Sequence, residues 1–333
     1  MLAAAIAAAS ILATAPIASA AAPSDGFSVR PVEINPNNPL TRAYFILRVK
    51  AGATLTRHVV IVNSGSQPTE LLIYPVDGLT GVTSGDVYAN RSVPKRGAGR
   101  WVLHATESIR IPGYGHFVAP FQLKVPGNAT PGDHLAGIAV EAAAPSTATS
   151  GRFSVTEILR EVVGVEIIVA GPAKPRIALR GASLAALPGT DYPGVTVKLA
   201  NTGRALCKPL LRVTLRAPGR AAVTATEQLD TVLPGAAIPY PFEWPHPLAA
   251  GTYGASVVAS HCGPTAVLRT SVRLGTTLAR TPAASTSDAR VIVRSGGGGG
   301  GGVGVWMFAA IALGGLGLGV AVTRGLHRRA PRP

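Results

Sequence analysis

The 333-residue sequence is short of the residues that most chemistry needs: it has two cysteines, two methionines, three tryptophans, and 16 acids against 31 lysines and arginines. Its seven histidines (His58, His104, His116, His134, His246, His261 and His327) are scattered. There is no HExxH and no pair at metal-ligand spacing, so no zinc site is expected. A G-x-S-x-G elbow is also missing, and VTSGD (82–86) reads as a turn. Of the few acids, Asp77, Asp86, Glu107 and Asp133 fall near expected turns or strand ends, where Asp serves the backbone. A glycosidase pair would need two of them to meet in space, which their spacing does not give. The chain therefore reads as a non-enzyme that needs no cofactor or metal. Neither a helical basic stripe nor aromatic-interleaved basic clusters occur, which argues against nucleic acid as partner.

Sustained helical spacing is the other absence. With 28 prolines, 39 glycines and 47% hydrophobic residues, the composition suits many short strands broken by turns. Apolar or β-branched runs recur about every ten residues. In the first half these are FSVRPV (27–32), RAYFILRV (42–49), TRHVVIVN (56–63), TELLIYPV (69–76), DVYAN (86–90), RWVL (100–103), ESIRI (107–111), GHFVAPFQLKV (115–125) and DHLAGIAVEA (133–142). The run 153–171 reads as one strand, because Val163, Val165, Ile167 and Val169 alternate and are β-branched. AAPSTATSGR (143–152), before it, reads as an exposed loop.

After GPAKP (171–175) the pattern restarts with RIALRGASL (176–184), GVTVKLAN (194–201), CKPLLRVTLRA (207–217), AVTATEQL (222–229), AIPYPFEW (237–244), GTYGASVVAS (251–260) and AVLRTSVRL (266–274). Seven strands in about 100 residues is the immunoglobulin-like number. The expected fold class is all-β, with two tandem immunoglobulin-like β-sandwich domains over 26–171 and 172–275. The halves echo each other. VVIVNSGSQPTELLIYPV is answered by VTVKLANTGRALCKPLLRVTL, in which Asn63/Gly65 and Asn201/Gly203 are expected to supply left-handed backbone at a tight crossover.

The two ends set the location. Leu2 to Ala22 is apolar and closes on Ala18-Ser19-Ala20, a small-x-small pattern. It reads as a signal peptide (1–22) cleaved between Ala20 and Ala21, although no Lys or Arg precedes it. Val303 to Val322 carries no charge, and its twenty residues at about 1.5 Å each cover roughly one 30 Å bilayer core. A transmembrane helix is expected over 303–323. Arg324, His327, Arg328, Arg329 and Arg332 follow without an acid, which leaves the 324–333 tail in the cytoplasm and everything before the helix outside. The polar stretch 276–302, ending in seven glycines, reads as a tether about 30 Å in root-mean-square span. Removing the tail's four arginines from the net charge of +15 leaves the exported part at +11, which suits an anionic envelope.

Cys207 and Cys262 both fall in the second half, and outside the cytoplasm such a pair is read as a disulfide before a metal or redox site. Cys207 opens the third expected strand of that half and Cys262 lies just past the sixth. These strands are antiparallel neighbours in an immunoglobulin-type sandwich, so the topology permits the bond.

Tyr44-Phe45, the turn Ala51-Gly52, a strand ending at Asn63, the turn Asp77-Gly78-Leu79-Thr80 and the stretch Pro131 to Ile138 follow one another in the first half. In this order they resemble the N-terminal domain of the WxL-interacting protein family of Gram-positive cell surfaces. Ala136-Gly137-Ile138 stands where that family has G-G-I, and the second half does not match the family's host-binding domain. The resemblance implies peptidoglycan attachment through 26–171, with WxL-type or other surface proteins as further partners. No ligand-contacting residue carries over from it. The expected function is thus a single-pass, non-catalytic surface protein that engages peptidoglycan or anionic wall polymers. The alternative is a membrane-tethered assembly or secretion chaperone whose sandwich edge strands pair with a client.

Overall fold

Alternating side chains on β-branched backbone make the chain almost entirely strand. The computed structural model describes residues 26–104, 106–150, 153–186, 193–244 and 248–275. The expected signal peptide with Ala20 and Ala21, the 276–302 tether, the 303–323 helix and the basic tail lie outside them. Among the described residues no helix is long and apolar enough to cross a membrane.

The first half contains β1 (Phe27–Pro31), β2 (Phe45–Val49), β3 (Thr54–Asn63), β4 (Thr69–Thr80), β5 (Asp86–Tyr88), β6 (Val102–Leu103), β7 (Glu107–Ile111), β8 (His116–Lys124), β9 (Gly132–Ala142), β10 (Ser146–Ser150), β11 (Phe153–Glu157) and β12 (Arg160–Val169). One sheet runs β1-β3-β8-β6; the other runs β2-β12-β9-β4-β5 with β7 beside β4. Between them lie Phe45, Ile61, Leu71, Phe121, Ile138 and Val165, with the Phe45 and Phe121 rings edge to face at 5.2 Å. Val163, Val165, Ile167 and Val169 are all buried on the inner side of β12, as their alternation requires. The chain starts in one sheet as β1, turns through a short 3-10 helix (Pro39–Arg42) capped by Asn38, and joins the other as β2, parallel to β12.

The second half contains β13 (Ile177–Ala186), β14 (Pro193–Asn201), β15 (Leu210–Arg216), β16 (Val223–Gln228), β17 (Ala237–Glu243), β18 (Gly251–Ser260) and β19 (Ala266–Leu274). They form the sheets β13-β14-β17 and β16-β15-β18-β19 around a core that includes Val197, Leu211, Val213, Phe242 and Val257. No ladder among the described residues joins the strands of one half to those of the other.

Four expectations need correction. The run 153–171 is two strands, and the expected loop before it supplies β10, which pairs with β11 through Ala148↔Val155. Small residues in STATS need only backbone pairing to form a strand, so they leave no apolar signal. Asp77 to Thr80 is not a turn, because β4 continues to Thr80. The turn comes next, where Ser84 and Gly85 take φ of 64° and 83°. Gly65 and Gly203 do not adopt positive φ. Their crossovers are held instead by side chains. Asn63 accepts the Gly65 N–H and donates to the carbonyls of Gln67, Ile111 and Pro112; Asn201 accepts the Gly203 N–H and donates to Ala205 and Val232.

Candidate functional site

The edge of the first half's larger sheet is left open along the start of β12, and β11, in the separate two-stranded β10–β11 sheet that precedes it in the chain, is likewise unpaired on its outer side. β2 covers β12 only from Val165 to Val169. Among the described residues no strand pairs with the same side of Arg160 to Gly164, or with the outer side of β11. The ladder phase shows which backbone groups are left over. The Ala142 N–H donates to the Leu159 carbonyl, so odd-numbered residues of β12 bond to β9, and the N–H groups of Arg160 and Val162 point away from it. Such a row is a template for another strand. Two other edges carry prolines that remove donors, Pro239 and Pro241 in β17 and Pro120 in β8, whereas the edge strands β16 and β19 carry none. Residues 153–164 contain none.

At the foot of this edge the sandwich opens into a pocket of about 200 Å³ lined by Gly26, Phe27, Ala142, Glu157 and Leu159, among others. The β10–β11 hairpin extends beyond the core, and Val155 is 58% exposed on it. Glu161, the next residue but one after Leu159, turns toward β1, where its carboxylate accepts the outward N–H of Val29 at 3.1 Å. Burial pushes the Glu161 carboxyl above its ordinary value, against the lowering effect of that N–H.

Behind the edge, on the outer face of the same sheet, Arg160 is only 1% exposed. It donates to the Tyr74 hydroxyl (3.1 Å) and the Ala89 carbonyl (2.7 Å), and it lies 3.9 Å from Glu141. Tyr74 in turn donates to Glu141 at 2.5 Å. Burial and that hydrogen bond push the Tyr74 phenol up to about 12. Tyr88 lies across the sheet over Gly137 and Gly164, where any Cβ would collide with its ring or hydroxyl. The network fixes the start of β12 rather than presenting a reactive group, because its charges are enclosed and paired.

The two halves meet through loops. On the first half, Gly85 donates to the Thr231 carbonyl, and the Ser84 and Thr80 hydroxyls accept the N–H groups of Asp230 and Leu233. Asp133 donates its N–H to the Arg204 carbonyl and accepts the Leu206 N–H at 2.8 Å. Asp86, Glu166 and Asp230 stand near this junction. Burial raises the carboxyls of Asp86 and Glu166, with Asp230 adding to the first and Asp133 and Asp86 to the second. Lys208, 2.7 Å from Asp230, lowers that acid.

Of the residues singled out from sequence, Cys207 and Cys262 are brought together as a disulfide with Cα atoms 5.7 Å apart, at the end where β15 and β18 are neighbours. The four acids are not gathered at one place. Asp77 is buried and accepts the N–H groups of Arg96, Gly97 and Gly99; Glu107 lies 3.8 Å from His104; Asp86 and Asp133 belong to the junction. Sequence reading missed the edge itself, although a proline-free stretch of 12 residues, 153–164, that mixes six apolar side chains with three charged ones and follows a small-residue strand was its available sign.

A second surface lies on the outer face of the smaller sheet. Val32, Val60, Val62 and Val118 line a groove of about 400 Å³ flanked by Arg30, His116 and Tyr114. Tyr114 is 75% exposed and holds φ of 57°.

No family model and no curated protein matches the chain. Among solved structures it is similar to a chain of the CsuC–CsuE chaperone–tip adhesion subunit pre-assembly complex from archaic chaperone-usher Csu pili of Acinetobacter baumannii, at 11% identity and a TM-score of 0.35, covering 76% of this chain and 100% of that one. It is also similar to the Pseudomonas aeruginosa CupB2 chaperone, at 13% identity, TM-score 0.30 and coverage of 70% and 97%. The E. coli chaperone DraB gives 11%, 0.31, 75% and 97%. Scores of this size assign no function to the chain.

Proposed function

We propose that this chain is a non-catalytic, exported binding protein, tethered to the membrane by its C-terminal segment, whose first sandwich holds an extended segment of a client against the open edge of β11 and β12. The observation that carries this reading is the unpaired, proline-free edge with a pocket at its foot that mixes apolar side chains (Phe27, Leu159) with polar ones (Asn63, Glu157). Main-chain bonds from Arg160 and Val162 supply affinity for any extended strand, and the pocket beside Leu159 selects the side chain that enters it. The test is a photoreactive side chain at Val155 of the whole chain in cells, with the same group at Val267 on β19 as control. Cross-linking to one mapped client segment from Val155 alone supports the reading; identical products from both positions overturn it.

A second reading, engagement of peptidoglycan or anionic wall polymers, is favoured by the valine groove with Tyr114, Arg30 and His116. An apolar floor with the Arg30 guanidinium at its rim suits a ligand carrying both methyl groups and carboxylates. The turns behind the resemblance to WxL-interacting proteins are only partly turns here: Gly52 takes φ of 80°, but Asp77 to Thr80 is strand. Wall retention by the whole chain that survives moderate salt and is lost in Tyr114→Ala supports this second role. Retention that disappears on walls stripped of anionic polymers reduces it to charge attraction.

A further inference from the structure

We infer that the open edge is matched to a basic strand carried by the chain itself, Arg290–Arg294, and that this segment occupies the edge until a client displaces it. The inference rests on the reading of the β11–β12 edge as the binding site. Its starting point is a pair of acids in a basic protein. Glu157 and Leu159 both line the pocket, and Glu161 turns to the same side toward β1. The edge therefore presents Glu, Leu and Glu at every second residue on one side. Among the described residues neither acid forms an ion pair, although the chain carries 31 lysines and arginines. Glu161 is half-buried, and burial disfavours its charge.

Inward-facing charges on an edge repel a plain apolar strand. A strand fits when it sets cations opposite the two acids and an apolar side chain opposite Leu159, since directly opposed residues lie about 5 Å apart. The sequence between the second half and the apolar C-terminal run contains a stretch with that pattern of side chains. In Ala289-Arg290-Val291-Ile292-Val293-Arg294-Ser295, three consecutive β-branched residues stand between two arginines. In extended backbone Arg290, Ile292 and Arg294 share one side. Ile292 opposite Leu159 faces the pocket of about 200 Å³, and the arginines then face Glu157 and Glu161. The pattern is symmetric about Ile292, so it matches in either strand direction. The 14 residues between Gly275 and Arg290 extend to about 50 Å, and seven glycines follow Ser295 to release the chain again.

The test is amide hydrogen exchange at Arg160 and Val162 in the whole chain in detergent, compared with Arg290→Glu/Arg294→Glu. This variant alters no residue of either sandwich. Exchange that is slow in the parent at all dilutions and speeds up about ten-fold or more in the variant supports the inference. Restoration by Glu157→Lys in the variant background supports it further. Protection that grows with protein concentration assigns the segment to a neighbouring copy and overturns the intramolecular form. If the parent's amides exchange fast, but an added peptide of residues 289–295 protects them, the self-occupied edge is overturned and the edge reading stands. If the peptide in excess protects nothing, both fall.

Discussion

The Asp133 carboxylate of the first sandwich accepts the backbone N–H of Leu206 in the second at 2.8 Å, one residue before Cys207. Asp133 also donates its own N–H to Arg204, so a single residue grips both sides of that loop. Replacing Asp133 with Ala removes the charge-assisted bond, costing about 1–2 kcal/mol. Calorimetry of the variant is expected to split one transition toward two, with the first sandwich changed least. A variant that unfolds in one unshifted transition would show that the loop contact does not couple the halves.

Cys207 also stands behind this contact, because it exchanges backbone hydrogen bonds with Val232, next to the loop that meets Ser84 and Thr80. The bond between Cys207 and Cys262 spans 55 residues, worth about 4 kcal/mol in the chain-entropy model. Cys207→Ser should lower the second sandwich's stability by that order and loosen the junction, while exchange in the β3 and β9 core stays slow. Free thiols in the exported protein would contradict the pairing.

Arg160 offers a different measurement. Arg160→Ala removes the enclosed cation from Tyr74 and Glu141 and leaves Glu141 only the half-exposed Arg91 at 3.5 Å, and a loss of about 3 kcal/mol is expected. Arg160→Met with Glu141→Gln removes both charges and should recover much of it. Denaturant midpoints of the single and double variants check this; equal losses would mean the pair is not coupled.

The junction acids give a pH dependence whose sign follows from burial. Folding raises the carboxyls of Glu166 and Asp86 above their ordinary 4.5 and 3.8. The folded state therefore binds these protons more tightly than the unfolded chain, and their contribution to stability is complete below the ordinary values and lost as pH rises through the raised ones. Asp230, lowered by Lys208, acts in the opposite sense as pH falls. Glu166→Gln should unfold at a higher temperature than the parent at pH 7, with the gap closing as pH falls into the carboxylate range. A gap that is constant with pH would exclude titration of Glu166 as its origin.

The strands were legible because alternation marks them. Residues 107–111, 251–260 and 266–274 are strands with the bounds their sequence pattern gives, and the neighbouring of β15 and β18 follows from the sevenfold strand pattern of the second half. β10 was not legible, since backbone pairing to β11 leaves no trace in Ser, Thr and Ala. The role of Asp77 was hidden for a related reason: the N–H groups it binds belong to residues about twenty positions later, and a long-range side-chain cap has no local signature. The site was the least legible part. An unpaired edge is a property of which strands stop short, and the start of β2 at Phe45, opposite Val165, leaves Arg160 to Gly164 uncovered without any special residue there.

The most direct test of strand addition is a proline at Val162. Its N–H points to the open edge and takes no part in the bonds to β9, so Val162→Pro deletes a donor for an added strand while leaving the internal ladder intact, at about 1–2 kcal/mol. Val163→Pro, one residue on, removes a ladder donor to β9 and should destabilise the chain more than Val162→Pro. With the photoreactive group at Val155, the account predicts that Val162→Pro stays folded and no longer yields the cross-linked client segment. A folded Val162→Pro chain that captures the segment as well as the parent would contradict it.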